Sequence, residues 1–226
     1  MPAAAPASPP ADTGVGFTLF GAPGSGSAMV EVALDLCGVP YRIVEAATWK
    51  PDSALDGLRA VNPLQQIPTL VLPDGSVLTE SAAILVHLGL EHPRSGLLPV
   101  DPSARAQAIR GLVYVAANCY AAIGVIDYPE RWCADADDDD ALKERIRSGT
   151  RRRLHRLWDA FADQFAREPF LAGDAPGALD LMAAVVSKWS GARAHLQRSR
   201  PALHAKLERI EQQPAVARVF RRHWSK

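Results

Sequence analysis

VNPLQQIPTLVLPDGSVLTESAAILVHL, residues 61–88, is the stretch that decides the fold. Two short apolar runs, residues 69–72 and 76–78, flank the turn Pro73-Asp74-Gly75. An Asp-Gly pair between apolar runs favours a tight β-hairpin. Thr79-Glu80-Ser81 then opens a helical pattern over residues 82–91. The segment therefore predicts a β-hairpin that leads directly into a helix.

The residues before this segment add two strands and a helix. Residues 17–20 and 41–44 are strand-like, residues 27–37 are helix-like and end at Gly38, and a short helix is predicted at 53–59. The order β-α-β-(α)-β-β-α predicts an α/β thioredoxin-like domain over residues 17–96. Residues 1–16 are rich in Pro and Ala, and we expect them to be a disordered arm rather than a secretory signal.

The residues after this segment are helical by periodicity. Residues 97–102 resemble a linker, and helices are predicted at 104–127, 142–167, 179–189 and 202–212. The chain is thus expected to join a thioredoxin-like N-terminal domain to an all-α C-terminal domain, residues 97–226.

Composition excludes several function classes. Lys plus Arg and Asp plus Glu are both 25, so no overall charge favours nucleic acid or an anionic membrane. The three cysteines are far apart, which predicts neither a disulfide framework nor a redox pair and suits a reducing cytosol. No run approaches the roughly 18 apolar residues that a membrane helix requires. The histidines lack zinc spacing, and the acidic run at 135–140 lacks the Gly of a calcium loop, so no metal is expected.

The loop GAPGSGSAM, residues 21–29, raises the question of phosphate binding because it is rich in glycine and serine. A P-loop has a Lys before its last Ser or Thr, and a dinucleotide fingerprint has the spacing GxGxxG. Gly26 stands where the Lys would be, and the spacing here is GxxGxG. Neither motif is present, so the loop needs another explanation.

Three segments together resemble the glutathione transferase family: the serine-bearing loop, residues 61–88, and FLAGDAPGALDLMAAV at 170–185. The resemblance covers nearly all of residues 17–224, and residues 61–88 are its most specific part. It implies a cytosolic enzyme in which a bound glutathione thiolate attacks a hydrophobic electrophile. It also implies a homodimer.

The resemblance assigns the glutathione-binding residues. Pro68 matches the family's cis-proline, and the backbone of Ile67 would pair with the cysteinyl part of glutathione; the structural alternative is an edge-strand proline. Glu80 and Ser81 match the pair that holds the γ-glutamyl amine and carboxylate, although alone they would be an ordinary helix cap. Gln66, and more loosely Trp49 or Lys50, match contacts to the glycine carboxylate.

In the first loop, Gly26 takes the place of the cysteine found in bacterial cysteine-type members, which excludes mixed-disulfide chemistry at that position. Ser25 matches the serine of zeta-like members and is the first candidate for activating the thiol. Ser27 is the second, and it could be an N-cap instead. Backbone N–H groups of the loop are a third possibility.

The electrophile pocket is expected on the first long helix of the second domain, at Tyr114, Asn118 and Tyr120, although core packing explains each equally well. Asp180 is expected to be structural, in a capping box halved by Gly177. The alternatives to a transferase are a non-catalytic glutathione-binding scaffold or regulator and a glutathione-dependent isomerase of the maleylacetoacetate type.

Overall fold

The computed structural model describes residues 16–50, 52–133 and 139–225. Residues 1–15 of the predicted arm and most of the acidic run at 135–140 lie outside these residues. The two acidic residues that are described belong to a helix start, since the Asp139 carboxylate accepts a hydrogen bond from Leu142 N at 2.9 Å.

The N-terminal part is a four-stranded sheet with three helices, as the sequence predicts. Its order along the chain is β1 (Phe17–Gly21), α1 (Ser27–Cys37), β2 (Tyr41–Glu45), α2 (Leu55–Val61), β3 (Thr69–Val71), β4 (Val77–Leu78) and α3 (Ser81–Glu91). The strands lie in the order β2-β1-β3-β4. β1 is parallel to β2 and antiparallel to β3, with Leu19 opposite both Ile43 and Leu70. The thioredoxin-like layout is confirmed.

The C-terminal part is helical. Its helices are α4 (Pro102–Tyr114), α5 (Ala121–Asp127), α6 (Asp140–Phe165), α7 (Ala178–Val186), α8 (Ala192–Ser199), α9 (Pro201–Glu211) and α10 (Pro214–His223). Where one helix is predicted over residues 104–127, a π-helical segment at Val115–Tyr120 separates α4 from α5. The sequence analysis did not predict α8 or α10.

One buried core joins the two parts. It includes Leu19 and Leu34 of the sheet unit and Trp158 and Phe161 of α6, all shielded from solvent. α1 packs against both α7 and α10. The predicted boundary at residues 96 and 97 is therefore a change of secondary structure within a shared core.

The segment Pro102–Asp127 has the length and composition of a membrane-crossing helix, with a mean hydropathy of 1.6 over its most apolar window. The expectation that no segment passes such a test was wrong, because it considered only unbroken apolar runs. In the structure 39% of that window is buried inside the protein. Core helices pass the same test, so the finding is weak evidence for a membrane.

Candidate functional site

A cleft of about 1020 Å³ lies between the sheet unit and the helices. Its sheet-side wall comes from the loop before α1, the segment before β3 and the start of α3. Its opposite wall comes from the π segment, α5, the residues after α5, Met182 of α7 and the residues that follow α7. The cleft gathers six of the predicted residues on the sheet side, namely Ser25, Gln66, Ile67, Pro68, Glu80 and Ser81.

The two loop serines form a compact network with the backbone of Ala22. The Ser25 hydroxyl donates to Ala22 O at 2.7 Å and lies 2.9 Å from Ser27 Oγ. Ser27 Oγ in turn accepts from Ala22 N at 3.2 Å. Ser25 borders the cleft, whereas Ser27 is 2% exposed and does not. The N-cap of α1 is Gly26, so the reading of Ser27 as an N-cap was wrong: its hydroxyl turns back to the loop.

The segment before β3 presents an unpaired backbone to the cleft. The Ile67–Pro68 peptide bond is cis. Ile67 N and O make no hydrogen bond to any residue that the structure describes. Asn62, which the sequence analysis missed, fixes this segment, because its buried amide donates to Gln66 O at 3.1 Å and to Thr69 Oγ1 at 2.9 Å. The Gln66 side chain is exposed, and Trp49 borders the cleft while Lys50 does not.

Glu80 and Ser81 begin α3 at the floor of the cleft. Glu80 is the residue before the helix, with φ 64° and ψ 110°. Ser81 is the first helical residue and is 7% exposed, and its hydroxyl has no partner among the described residues. The first N–H groups of a helix have no partner within the helix and attract anions. This corner of the cleft is therefore suited to a ligand that carries a carboxylate, which the start of α3 would bind, beside an amine, which the Glu80 carboxylate would bind.

Backbone strain is concentrated at the cleft. In the described ranges, the non-glycine residues with positive φ are Gln65, Glu80 and Ser190, and all three border the cleft. Holding a non-glycine residue at positive φ costs of order 1 to 3 kcal/mol of folding free energy, and such residues cluster at functional sites. The strain supports this cleft, rather than another surface, as the functional site.

The helical wall is aromatic. Tyr120 borders the cleft at the end of the π segment and packs against Trp189, with ring centroids 5.4 Å apart. Tyr128 and Trp132 extend the wall outward, and Arg131 lies over the Tyr128 ring at 3.9 Å. The aromatic side chains give this half of the cleft an apolar surface.

Two predicted pocket residues do not reach the cleft. The Tyr114 hydroxyl donates to Leu157 O at 2.9 Å, and its ring packs against Phe161 and Phe165. The Asn118 amide donates to Tyr114 O at 3.1 Å within the same helix. Both side chains therefore serve the packing of the helices, and of the three predicted residues only Tyr120 borders the cleft.

The ionisable groups near the helical wall are shifted towards their neutral forms. Burial, with the charges of Asp127 and Glu80, raises the pKa of Tyr120 to about 12. Burial also raises the pKa of Asp127, although Arg147 opposes this. The phenol of Tyr120 is therefore neutral at physiological pH and can donate a hydrogen bond.

The described residues offer no cysteine chemistry at the cleft, since none of the residues that border it is a cysteine. Burial raises the pKa of the nearby Cys119 thiol to about 12. The part of the chain that the structure describes also has no group of three or more His, Cys, Asp or Glu side chains able to hold a metal ion.

The C-terminal helix supports the loop of the cleft. The buried Glu31 carboxylate of α1 accepts hydrogen bonds from Arg222 and from His223 Nε2, the latter at 2.9 Å. These two hydrogen bonds lower the pKa of Glu31, although burial alone would raise it. The same helix end lies beside Gly24, whose absent Cβ would be 3.8 Å from His223 O. Glu31 thus ties α10 to the helix that starts at the cleft.

Comparison with known proteins agrees with this architecture. Residues 26–90 match the model of the glutathione S-transferase N-terminal domain. The chain is 30% identical to the uncharacterised GST-like protein YncG of Escherichia coli K12, over 91% of this chain and 97% of that protein. It is 31% identical to the maleylacetoacetate isomerase of Rhizobium meliloti, over 70% of this chain and 73% of that protein.

A solved structure of a glutathione transferase homologue from Sulfitobacter, with bound glutathione, superposes with a TM-score of 0.76 at 25% identity. The superposition covers 91% of this chain and 97% of that one. The fold and the near-complete match define a two-part protein of the thioredoxin-like plus helical class. The chain belongs to the glutathione S-transferase family.

Proposed function

We propose that the protein is a glutathione transferase, in which the cleft binds glutathione and presents its thiolate to an apolar electrophile. The observation that carries the proposal is the convergence of three features on one side of one cleft. They are the Ile67 backbone and the Ser81 hydroxyl, neither of which has a hydrogen-bond partner among the described residues, and the strained Glu80. The Sulfitobacter homologue with bound glutathione supports the choice of ligand.

Each part of the tripeptide glutathione has a binding partner in the cleft. The γ-glutamyl carboxylate binds Ser81 and the start of α3, and its amine binds Glu80. The cysteinyl amide pairs with the backbone of Ile67, and the glycine carboxylate lies towards Gln66 and Trp49. The sulfur then lies at the loop before α1, where the positive end of the helix dipole favours a thiolate.

The reaction is a nucleophilic displacement or addition. In a displacement, the thiolate forms an S–C bond while the leaving group departs with its electron pair. In an addition to an activated double bond, the S–C bond forms while the π electron pair moves onto the neighbouring atoms, which take up a proton from solvent. In both cases the thiol proton has already been released to solvent. Tyr128, Trp132 and Trp189 provide an apolar surface for the electrophile. Holding both reactants in one cleft converts a bimolecular step into an effectively unimolecular one.

A glutathione-dependent isomerase of the maleylacetoacetate type is the second candidate. The Rhizobium relative favours it, and Arg131 at the mouth of the cleft offers a cation for an acidic substrate. Turnover assays with a chlorinated aromatic electrophile and with a maleyl-type diacid distinguish the two reactions.

Titration calorimetry with glutathione tests the proposal and also addresses the non-catalytic scaffold. We expect binding, and we expect Ser81→Ala and Glu80→Ala each to weaken it by about 1 to 3 kcal/mol, the range for a lost hydrogen bond to a charged group. Glu91→Ala, at the exposed far end of the same helix, is the matched control and is expected to bind normally. A wild-type protein that binds glutathione but catalyses neither reaction would favour the scaffold. Unchanged affinity in both cleft variants would contradict this assignment of the site.

We further propose that the protein is a cytosolic homodimer. The three cysteines are free, which suits a reducing compartment. The dimer itself is supported by the family resemblance, since an isologous pair is the commonest closed assembly.

A further inference from the structure

We infer that the Tyr120 hydroxyl, supplied by the helical part of the chain, donates the hydrogen bond that holds the glutathione thiolate, in the space left by the missing side chain at Gly26. This inference rests on the proposed function. It assigns to Tyr120 the role that the sequence left open among Ser25, Ser27 and the loop amides.

The first observation is steric. A Cβ on Gly26 would lie 2.5 Å from Tyr120 Oη and 3.4 Å from Pro68 Cδ. The phenol oxygen therefore reaches the N-terminal end of α1 from across the cleft and occupies the space of a side chain at that position. Three features of the cleft meet at this point: the start of α1, the proline after Ile67 and the hydroxyl of Tyr120.

The second observation concerns free donors. The Tyr120 hydroxyl has no hydrogen-bond partner among the described residues, although its ring is fixed against Trp189. By contrast, Ser25 Oγ lies 2.7 Å from Ala22 O and 2.9 Å from Ser27 Oγ, so its hydroxyl has hydrogen-bond partners within the loop. Ser27 is buried behind the loop, where its hydroxyl contacts Ala22. Of the three hydroxyl groups at this point, that of Tyr120 is thus the one without a hydrogen-bond partner among the described residues.

The third observation is the backbone that carries Tyr120. Tyr120 is the last residue of the π-helical segment Val115–Tyr120, which interrupts an otherwise α-helical stretch. Single π turns inside α-helices are frequent at functional sites. Because a π turn contains one residue more than an α turn, it changes which of the side chains that follow it along the chain face the cleft. The neutral phenol, kept protonated by its raised pKa, is a donor and not a base.

The test is a double-mutant cycle on Gly26 and Tyr120, read out by the ultraviolet absorbance of the glutathione thiolate against pH. Tyr120→Phe removes only the oxygen, and we expect it to raise the pKa of the bound thiol by about one unit or more, as for the loss of one hydrogen bond to a charged group. Gly26→Ala adds only a methyl group at a position whose φ of −61° accepts alanine, and we expect it to displace the hydroxyl and raise the thiol pKa similarly. The double variant is expected to shift the pKa no further than either single change.

Two controls separate this effect from general disturbance. Tyr114→Phe removes a hydroxyl six residues earlier that lies outside the cleft, and Gly149→Ala adds a methyl group to α6, away from the cleft, where the nearest atom would be Arg152 Nη2 at 3.9 Å. Neither is expected to move the thiol pKa. Ser25→Ala is the competing variant, and a shift there with none in Tyr120→Phe would overturn the inference, as would additive shifts in the cycle.

The affinity for S-methylglutathione gives a second readout. Because this analogue has no thiolate, Tyr120→Phe is expected to leave its binding nearly unchanged while weakening the binding of glutathione at a pH where the thiol is ionised. Equal weakening of both ligands would overturn the inference and point to a packing role for Tyr120. Failure of the wild-type protein to bind either ligand would overturn the proposed function itself, and the assignment of Tyr120 with it.

Discussion

Removal of the Asp180 carboxylate is expected to destabilise the protein more than any exposed substitution in the same loop. Asp180 is fully buried at the start of α7, and its oxygens accept three backbone hydrogen bonds. The donors are Leu171 N at 2.8 Å, Ala172 N at 3.0 Å and Gly177 N at 3.0 Å. Burial raises the pKa of Asp180 to about 6, so the group is an ionised acceptor at neutral pH.

In Asp180→Ala all three N–H groups lose their acceptor. Two of these hydrogen bonds are buried and one is partly buried, and a buried donor without a partner costs about 1 to 3 kcal/mol. The expected loss is therefore about 3 kcal/mol or more of the free energy of unfolding. Asp180→Asn keeps one acceptor oxygen but turns an amide donor towards the N–H groups, so an intermediate loss is expected.

Urea denaturation at neutral pH measures this loss as a change of the midpoint at constant slope. Asp174→Ala, an exposed change in the same loop, is the matched control and is expected to stay within about 0.5 kcal/mol of the wild type. A loss below about 1 kcal/mol in Asp180→Ala would show that water satisfies the N–H groups and would refute the reasoning.

Three further predictions concern the rest of the molecule. Because the pKa of Glu31 is lowered in the folded protein, its contribution to folding stability is present above the ordinary value of 4.5 and is lost as the pH falls below it. Glu31→Gln should therefore be less stable than the wild type at pH 7. Thermal unfolding should show that this difference in stability shrinks in acid. Ser27→Ala should cost about 1 kcal/mol of stability through the lost contacts with Ala22, and calorimetry should find the glutathione affinity unchanged. Light scattering at micromolar concentration should give a dimer mass, and a monomeric mass for the wild type would refute the dimer.

The sheet unit could be predicted in detail because its signals are local. The Asp74-Gly75 turn, the apolar runs on either side of it and the Gly at the end of α1 act over a few residues. α1 has the predicted bounds, Ser27–Cys37, and no end of the hairpin strands or of α3 differs from its prediction by more than one residue.

The helical part was less predictable because its signals are weaker. α8 carries only two buried apolar residues, Ala192 and Leu196, which is too few for a clear period. α10 has a readable pattern, with Pro214 at its start and Val216, Val219 and Phe220 buried on one face, and the sequence analysis missed it. The π segment leaves no mark in the apolar period of residues 104–127. Its position depends on packing between helices.

The candidate site shows the same division between local and long-range information. Ser81 and the Ile67–Pro68 step could be placed from sequence because the spacing between them is a property of one continuous segment. The environment of Ser25 could not be predicted from sequence, because whether a hydroxyl is free depends on which atoms lie within its hydrogen-bond distance. Here that atom is Ala22 O. The approach of Tyr120 to Gly26 joins residues 94 positions apart and has no sequence signal.

The first loop resembles a phosphate-binding loop because of its three glycines, and the structure explains why each of these positions is occupied by glycine. Gly24 has φ 75°, a conformation that side chains rarely adopt. A Cβ on Gly21 would lie 2.4 Å from Ser27 Oγ, so glycine there allows the buried serine to turn back onto the loop. A Cβ on Gly26 would meet the Tyr120 hydroxyl at 2.5 Å, so glycine there admits a phenol from the opposite wall. Gly21 and Gly26 thus accommodate hydroxyl groups that this chain supplies itself, and Gly24 allows the loop to turn, so the loop has the composition of a nucleotide-binding motif without its spacing or its lysine.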